Sequence, residues 1–485
     1  MLLDGKESVP GGYSIKELKI ISQRGGEIDI NYMIRQLVIT ESINAPVITG
    51  TITLYDALNI ITNLPVMEGD KLKGNLSTYD QDQYARRFDP DGQIEFEYEI
   101  FKIGKTLKIP TKQDVQLVEL HFCSPLWSDN LKGRVSQAFC QTPYTSAAKQ
   151  IYDEYLKKGG MAKNIKTKEL EIEQSDEMFN FIIPNWKPLE AITWLADRAW
   201  KDKSACYRFF ENKEKFRLVT LTKLMKEGPK LKYCTHSQNR VLDAQLSGSK
   251  VQQRFDESLL EGRYRYLFNI NIMSSQDMNN ASNGYLLGRR MITHDIMFKR
   301  VKDYYFKGPE AENYKLDEPR DYTMDFNDMQ PMNGAESLID EKIAMSMGPK
   351  EGDEKLVVYP LHHHQWTGVE DNFKPEKWLR QHKSQMQHME FYNIEATCPG
   401  NFTMKAGDVI DVEFYSPEAS QTNEGKKEPI IDKRHSGKWL VTYVSRSFSM
   451  AYDSFYMQIR LARNDRKLEP NPIWNSAQEW KPGEK

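Results

Sequence analysis

With 485 residues, 28% charged and 39% apolar, the chain has an ordinary globular composition, which excludes long disorder and fits about three domains at roughly 150 residues each. No run approaches the roughly 20 apolar residues of a membrane span, and 66 basic against 69 acidic residues give a formal charge of −3 without a basic stripe, so membrane and specific nucleic-acid binding are both disfavoured. Five scattered cysteines, Cys123, Cys140, Cys206, Cys234 and Cys398, suit reduced thiols better than a disulfide framework; with no secretory signal at the N-terminus, folding in a cytoplasm is expected.

The first 125 or so residues read as β-structure. Between Val47 and Tyr55, Ile48, Gly50, Ile52 and Leu54 share one face and Thr49, Thr51 and Thr53 the other, the period-2 pattern of a half-buried strand. Asp56 then caps a short helix through Asn63 that stops before Pro65, and Leu72, Gly74 and Leu76 begin another strand. The polar stretch from Tyr79 to Gly92, closed by Pro90-Asp91-Gly92, predicts a long loop. Ile94, Phe96, Tyr98 and Ile100, and later Val118, Leu120 and Phe122, mark the inner faces of the next two strands.

From about residue 126 to 235 the period changes to a compact α/β unit. Pro143 opens a helix carrying Ala147, Ile151 and Tyr155, which Gly159-Gly160 ends, and Pro188 opens a second with Leu189, Ile192, Ala196 and Ala199 in one apolar stripe. A hairpin follows, running from Tyr207 to Phe210, turning through Glu211-Asn212-Lys213 and returning along Phe216, Leu218 and Thr220. Residues 266–390 read as mixed, with a helix after Pro375 through Trp378, Leu379 and Met386. The stretch 391–465 is β again and echoes the beginning: Met67-Glu68-Gly69-Asp70 before a strand recurs as Lys405-Ala406-Gly407-Asp408 before Val409 to Val412. Beyond Arg466, Pro470, Pro472 and Pro482 predict an extended tail. Its Ile473, Trp474 and Trp480 are large apolar groups unusual in a solvated segment; with Tyr79, Arg86 and Arg87 of the long loop they are the interface candidates.

Chemical motifs are present as strings only. His362-His363-His364, with His382 and His388 nearby, lacks any known ligand spacing and reads as a surface loop, so no metal and no cofactor is expected. Ser247-Gly248-Ser249-Lys250 matches S-x-x-K, yet its glycine makes a turn rather than the helix that would bring serine to lysine. Gly284 to Gly288 lacks the lysine of a phosphate loop, and the acid pairs Asp176-Glu177 and Asp256-Glu257 are the solvated kind. No enzyme is expected.

Four passages, in order, carry a resemblance: Gly50 to Asn59 with Leu64-Pro65 and Glu68-Gly69-Asp70; Phe181 to Pro188 through Trp194 to Asn212; Gly284-Tyr285 through Ile292 to Asp295; and Gly400-Asn401 through Gly407-Asp408 to Gly437 and Val441. Taken together they resemble the baseplate hub proteins of contractile-tail phages, which share this part with the N-terminal region of type VI secretion spike proteins. The resemblance implies an α+β, mainly β fold with two tail-tube-like antiparallel β-barrels, 1–125 and 236–265 with 391–465, and inserted domains at 126–235 (α/β) and 266–390 (mixed), before the tail 466–485. It implies a homotrimer whose six barrels match a hexameric tail tube, with the tail tube or tube-initiator protein, the central spike, baseplate wedge proteins and the tape measure protein as partners. A type VI spike component and a tail-associated cell-wall hydrolase are the alternatives. A type VI spike would continue into an OB-like domain and a β-helix, for which the roughly 20 residues after the last predicted strand leave no room.

Overall fold

The computed structural model describes residues 11–64, 66–78, 89–108, 115–157, 168–201, 204–235, 265–274, 290–295, 300–305, 356–361, 375, 378–379, 382, 386, 392–415, 421–423, 426–428, 432, 435–450 and 454–463. Period-2 alternation folds as strands throughout the first part: β1 (Ser14–Ile21), β2 (Glu27–Asp29), β3 (Ile34–Ser42), β4 (Thr49–Asp56), β5 (Lys71–Ser77), β6 (Gln93–Lys108) and β7 (Gln116–Cys123). Every inward residue read from the alternation, from Ile52 and Leu54 to Leu72, Tyr98 and Phe122, is buried.

The inserted unit follows as helix Leu126–Lys132, β8 (Val135–Thr142), helix Tyr144–Ile151 running on into a π-helical turn, β9 (Leu170–Ile172), β10 (Phe179–Trp186), helix Pro188–Ala196, β11 (Tyr207–Glu211), β12 (Phe216–Thr220) and helix Leu221–Lys226. Pro188 sits at the start of its helix, where its missing N–H costs no hydrogen bond, and Leu189, Ile192, Ala196 and Ala199 are buried as the stripe predicts. Then come β13 (Leu231–Cys234), β14 (Phe268–Ser274), a three-stranded sheet of β15 (Arg290–Asp295), β16 (Arg300–Tyr305) and β17 (Leu356–Leu361), and β18 (Tyr392–Pro399). The last strands are β19 (Val409–Glu413), the small β20 (Gln421–Asn423) and β21 (Lys426–Glu428), β22 (Gly437–Ser449) and β23 (Ser454–Arg463). The helical residues Trp378 and Leu379 are buried in the same core as Leu189, Ile192 and Phe216, so this later segment packs against the α/β unit.

The expected pair of closed barrels is not formed. Among the described residues no sheet closes on itself: one 13-stranded sheet runs β14-β18-β23-β22-β3-β4-β7-β6-β5-β1-β2, with β19 branching from β22 and β13 from β19. The cause is the partnering of β3. Its one edge takes β4 of its own half, while its other edge takes β22 of the second half, in register from Tyr443 opposite Ser42 to Ser449 opposite Gln36. A strand has only two edges, so β3 joins the halves instead of closing the first. One continuous apolar core accordingly gathers Leu18, Ile39, Ile52 and Leu120 with Ile394, Val444 and Ile459. A smaller core of Ile43, Phe210, Leu224, Val409 and Leu440 ties the α/β insertion to this sheet.

The echo between the halves has a physical basis. Gly69 and Gly407 both adopt positive φ, 95° and 89°, which only glycine takes without strain. Gly69 N–H donates to the Ile100 carbonyl (2.7 Å) while Ile100 N–H donates to that of Asp70 (2.8 Å). Gly407 and Asp408 make the same two bonds with Val441, both at 2.8 Å. Each strand opposite then carries a bulge directly after that residue, between Ile100 and Lys102 and between Val441 and Tyr443, where sheets bend. The carboxylates repeat as well: Asp70 accepts from Met67 N–H at 2.9 Å and Asp408 from Lys405 N–H at 3.0 Å.

The helix is reduced to Ile60–Asn63 and its N-cap position is Asn59, not the expected Asp56, which instead reaches the first helical N–H from three residues before the cap. The Asp56 carboxylate accepts from the N–H groups of Leu58 (3.1 Å) and Ile60 (3.0 Å) and from Gln116 Nε2 (2.9 Å). Asp56→Ala is expected to lower stability by about 1 kcal/mol, read as a drop in Tm with unchanged far-UV circular dichroism.

Candidate functional site

Among the described residues, fully buried charges meet where the two halves join. In β3, Leu37, Ile39 and Glu41 fall on one face; in β22, Val444, Arg446 and Phe448 do. Glu41 and Arg446 therefore point into the core, and both are fully buried. Arg446 Nη1 lies 2.6 Å from Glu41 Oε1, and Nη2 donates to the Met404 carbonyl at 2.5 Å. The other Glu41 oxygen accepts from Ala406 N–H at 3.3 Å. One carboxylate of the first half and one guanidinium of the second thus hold the turn 404–406 against the joining strands. The extra hydrogen bonds are what make a desolvated ion pair tolerable.

A second clasp sits beside it. Asp89, buried just before the Pro90-Asp91-Gly92 turn, accepts from Phe402 N–H (2.9 Å), Thr403 N–H (2.8 Å) and Thr403 Oγ1 (2.7 Å). Burial pushes the Asp89 carboxyl above the usual carboxylate range, against these donors and the nearby Lys213 ammonium. At the end of β11, Glu211 accepts from Ile48 N–H (3.0 Å) and from Lys168 Nζ (2.7 Å). Burial beside Glu99 and Glu211 pushes the Cys123 thiol up to about 12, so it stays protonated and unreactive. Cys206 and Cys398 are also buried, Cys140 is exposed, and none of the five cysteines is in a disulfide.

The sign of the Asp89 effect can be tested. Because its folded pKa is raised above the unfolded value, the folded chain binds this proton more tightly, so the contribution is fully present below the unfolded pKa of about 3.9 and is lost as pH rises through the folded pKa. Asp89→Asn removes that dependence. The stability of the native chain relative to this variant is expected to grow between pH 7 and pH 4, measured by urea unfolding at each pH.

Chemically, these groups hold strands together. Among the described residues no group of three or more His, Cys, Asp or Glu side chains is placed to hold a metal. His382 is buried, with Nδ1 3.0 Å from the Ala205 carbonyl oxygen, and Nε2 lies 3.8 Å from Asp197 Oδ1. His362, His363, His364, His388 and the Ser247–Lys250 string lie outside the described residues, as do all six interface candidates, Tyr79, Arg86, Arg87, Ile473, Trp474 and Trp480. Gly50 is a packing position: a Cβ there would lie 2.3 Å from the Phe122 ring. The residues that sequence reasoning missed are Glu41, Arg446 and Asp89. For the first two a signal existed, a charge in the inward phase of an alternating strand.

No helix among the described residues is long and apolar enough to cross a membrane. No family model and no curated protein matches the chain. Among solved structures, it is similar to the tail protein from Neisseria meningitidis MC58, with TM-score 0.47 and 11% identity over 93% of this chain and 96% of that one. It is also similar to the 43 kDa tail protein of prophage MuSo2 from Shewanella oneidensis, with TM-score 0.45 and 9% identity over 93% and 98% of the two chains. A component of the type VI secretion system of E. coli follows at TM-score 0.39 and 8% identity, over 95% and 80%.

Proposed function

We propose that the chain is a structural component of a contractile phage tail baseplate, an adaptor that joins the hexameric tail tube to the trimeric central spike around a channel for DNA. The observation that carries this reading is the recurrence, within one chain, of the Gly-Asp turn with its two backbone bonds and following bulge, in two halves joined edge to edge. A subunit carrying two related halves yields six when three copies assemble, which relates a threefold partner to a sixfold one. The open sheet removes closed barrels from this account, and the homotrimer now rests on the two halves and on the sequence resemblance.

A near-neutral chain without basic stripes suits a passage that DNA must traverse without being held. Assembly in the host cytoplasm and residence in the virion tail follow from the same reading, with the tube or tube-initiator protein, the spike, wedge proteins and the tape measure protein as partners. Mass photometry of the purified chain, alone and with candidate tube and spike proteins, is expected to give a trimer at micromolar concentration. Only monomer or hexamer, even with spike present, removes the adaptor reading, and release of fragments from purified peptidoglycan replaces it with a hydrolase.

A further inference from the structure

We propose that the β11–β12 hairpin of the α/β insertion is a latch on the β3–β22 seam, so that seating of the insertion and closure of the seam are one conformational event. Asn212 first fixes the turn itself, its Oδ1 accepting from the N–H groups of Glu214 (3.0 Å) and Lys215 (2.9 Å). The turn residues then bond outside their own domain. Glu211 takes Ile48 N–H at the entry to β4. Lys213 Nζ donates to two carbonyls, those of Asp91 in the first half and Phe402 in the second, each at 3.3 Å. Glu214 pairs with Lys405 of the second half, whose ammonium also lies 3.7 Å from Asp91.

Apolar contact reinforces the wedge. The Phe210 ring fills the space over Gly407, where an added Cβ would come within 2.9 Å of it. The residues that receive the hairpin, from Phe402 to Gly407, are the same segment that Glu41, Arg446 and Asp89 hold. Turn 402–407 is therefore clamped between the seam and the insertion and cannot leave one without loosening the other. Burial, and after it the Arg446 charge, lowers the Lys213 pKa. The coupling is a property of this chain and holds whatever assembly it joins.

Hydrogen exchange by mass spectrometry on the full chain tests the latch. In Lys213→Ala/Glu214→Ala, exchange in β3, β22 and residues 401–408 is expected to rise at least tenfold, while β1, β5 and the helix Pro188–Ala196 keep their native rates. Acceleration confined to the hairpin, or uniform over the chain, overturns the proposal. If that double variant fails to fold, Glu214→Gln is read by the same criterion. A charge swap adds an independent arm: Lys405→Glu alone should loosen the seam, and Lys405→Glu/Glu214→Lys should restore its protection to within twofold. No restoration also overturns the latch.

Discussion

Arg446→Ala is expected to lower the unfolding free energy by about 3–5 kcal/mol, a large share of what a domain possesses. The reason is what stays behind. Glu41 has no exposed surface, and without the guanidinium its remaining donor among the described residues is the Ala406 N–H at 3.3 Å. The Met404 carbonyl loses its donor at the same time. Glu41→Leu/Arg446→Met replaces both charges by apolar groups of similar length and is expected to recover most of the loss, because the cost lies in the uncompensated charge and not in the absent pair. Urea unfolding at equal protein concentration decides; equal losses in the single and double variants would mean that the site needs the ions themselves.

Gly50→Ala is the second variant expected to have a large effect, about 3 kcal/mol of destabilisation. A methyl group there would fall 2.3 Å from both the Phe122 ring and the Val38 carbonyl oxygen. The ring could shift, but the carbonyl belongs to β3, paired with β4 on one side and β22 on the other. Relief would require the backbone to move across three strands. Gly228→Ala, with nothing within 4 Å of the added atom, is the control and should change stability by no more than about 0.5 kcal/mol. A thermal melt of both variants separates local crowding from a general intolerance of alanine.

The inward faces were legible because burial imposes a period of two on residues such as Ile52, Leu54, Leu72 and Phe96, and that period is written in the sequence. The Gly-Asp turns were legible for a related reason: a positive φ selects glycine, and the aspartate behind it closes the turn on its own backbone. Edges are another matter. Periodicity says which way a side chain points and nothing about which strand lies alongside, so two sets of hairpins read equally well as two closed barrels or as one open sheet. Glu41 and Arg446 could have corrected that expectation. Each is a charge at an inward position, which demands a partner, and the two pair with each other across the seam. Asp89 offered no such signal, because it ends a loop and its partners Phe402 and Thr403 lie more than 300 positions away.

That separation also sets a schedule. Glu41 and Arg446 are 405 residues apart, so at about 5–20 residues per second a ribosome needs roughly 20–80 s after making β3 before it delivers β22. During that interval the N-terminal strands have time to pair among themselves, yet one edge of β3 stays open, a hydrogen-bonding template for other chains. The charged Arg35 and Glu41 in that strand hinder wrong pairing while it waits. Chains stalled or truncated before Gly437 are thus expected to be the aggregation-prone species, and the yield of native protein to depend on the speed of translation as much as on the stability of the finished fold.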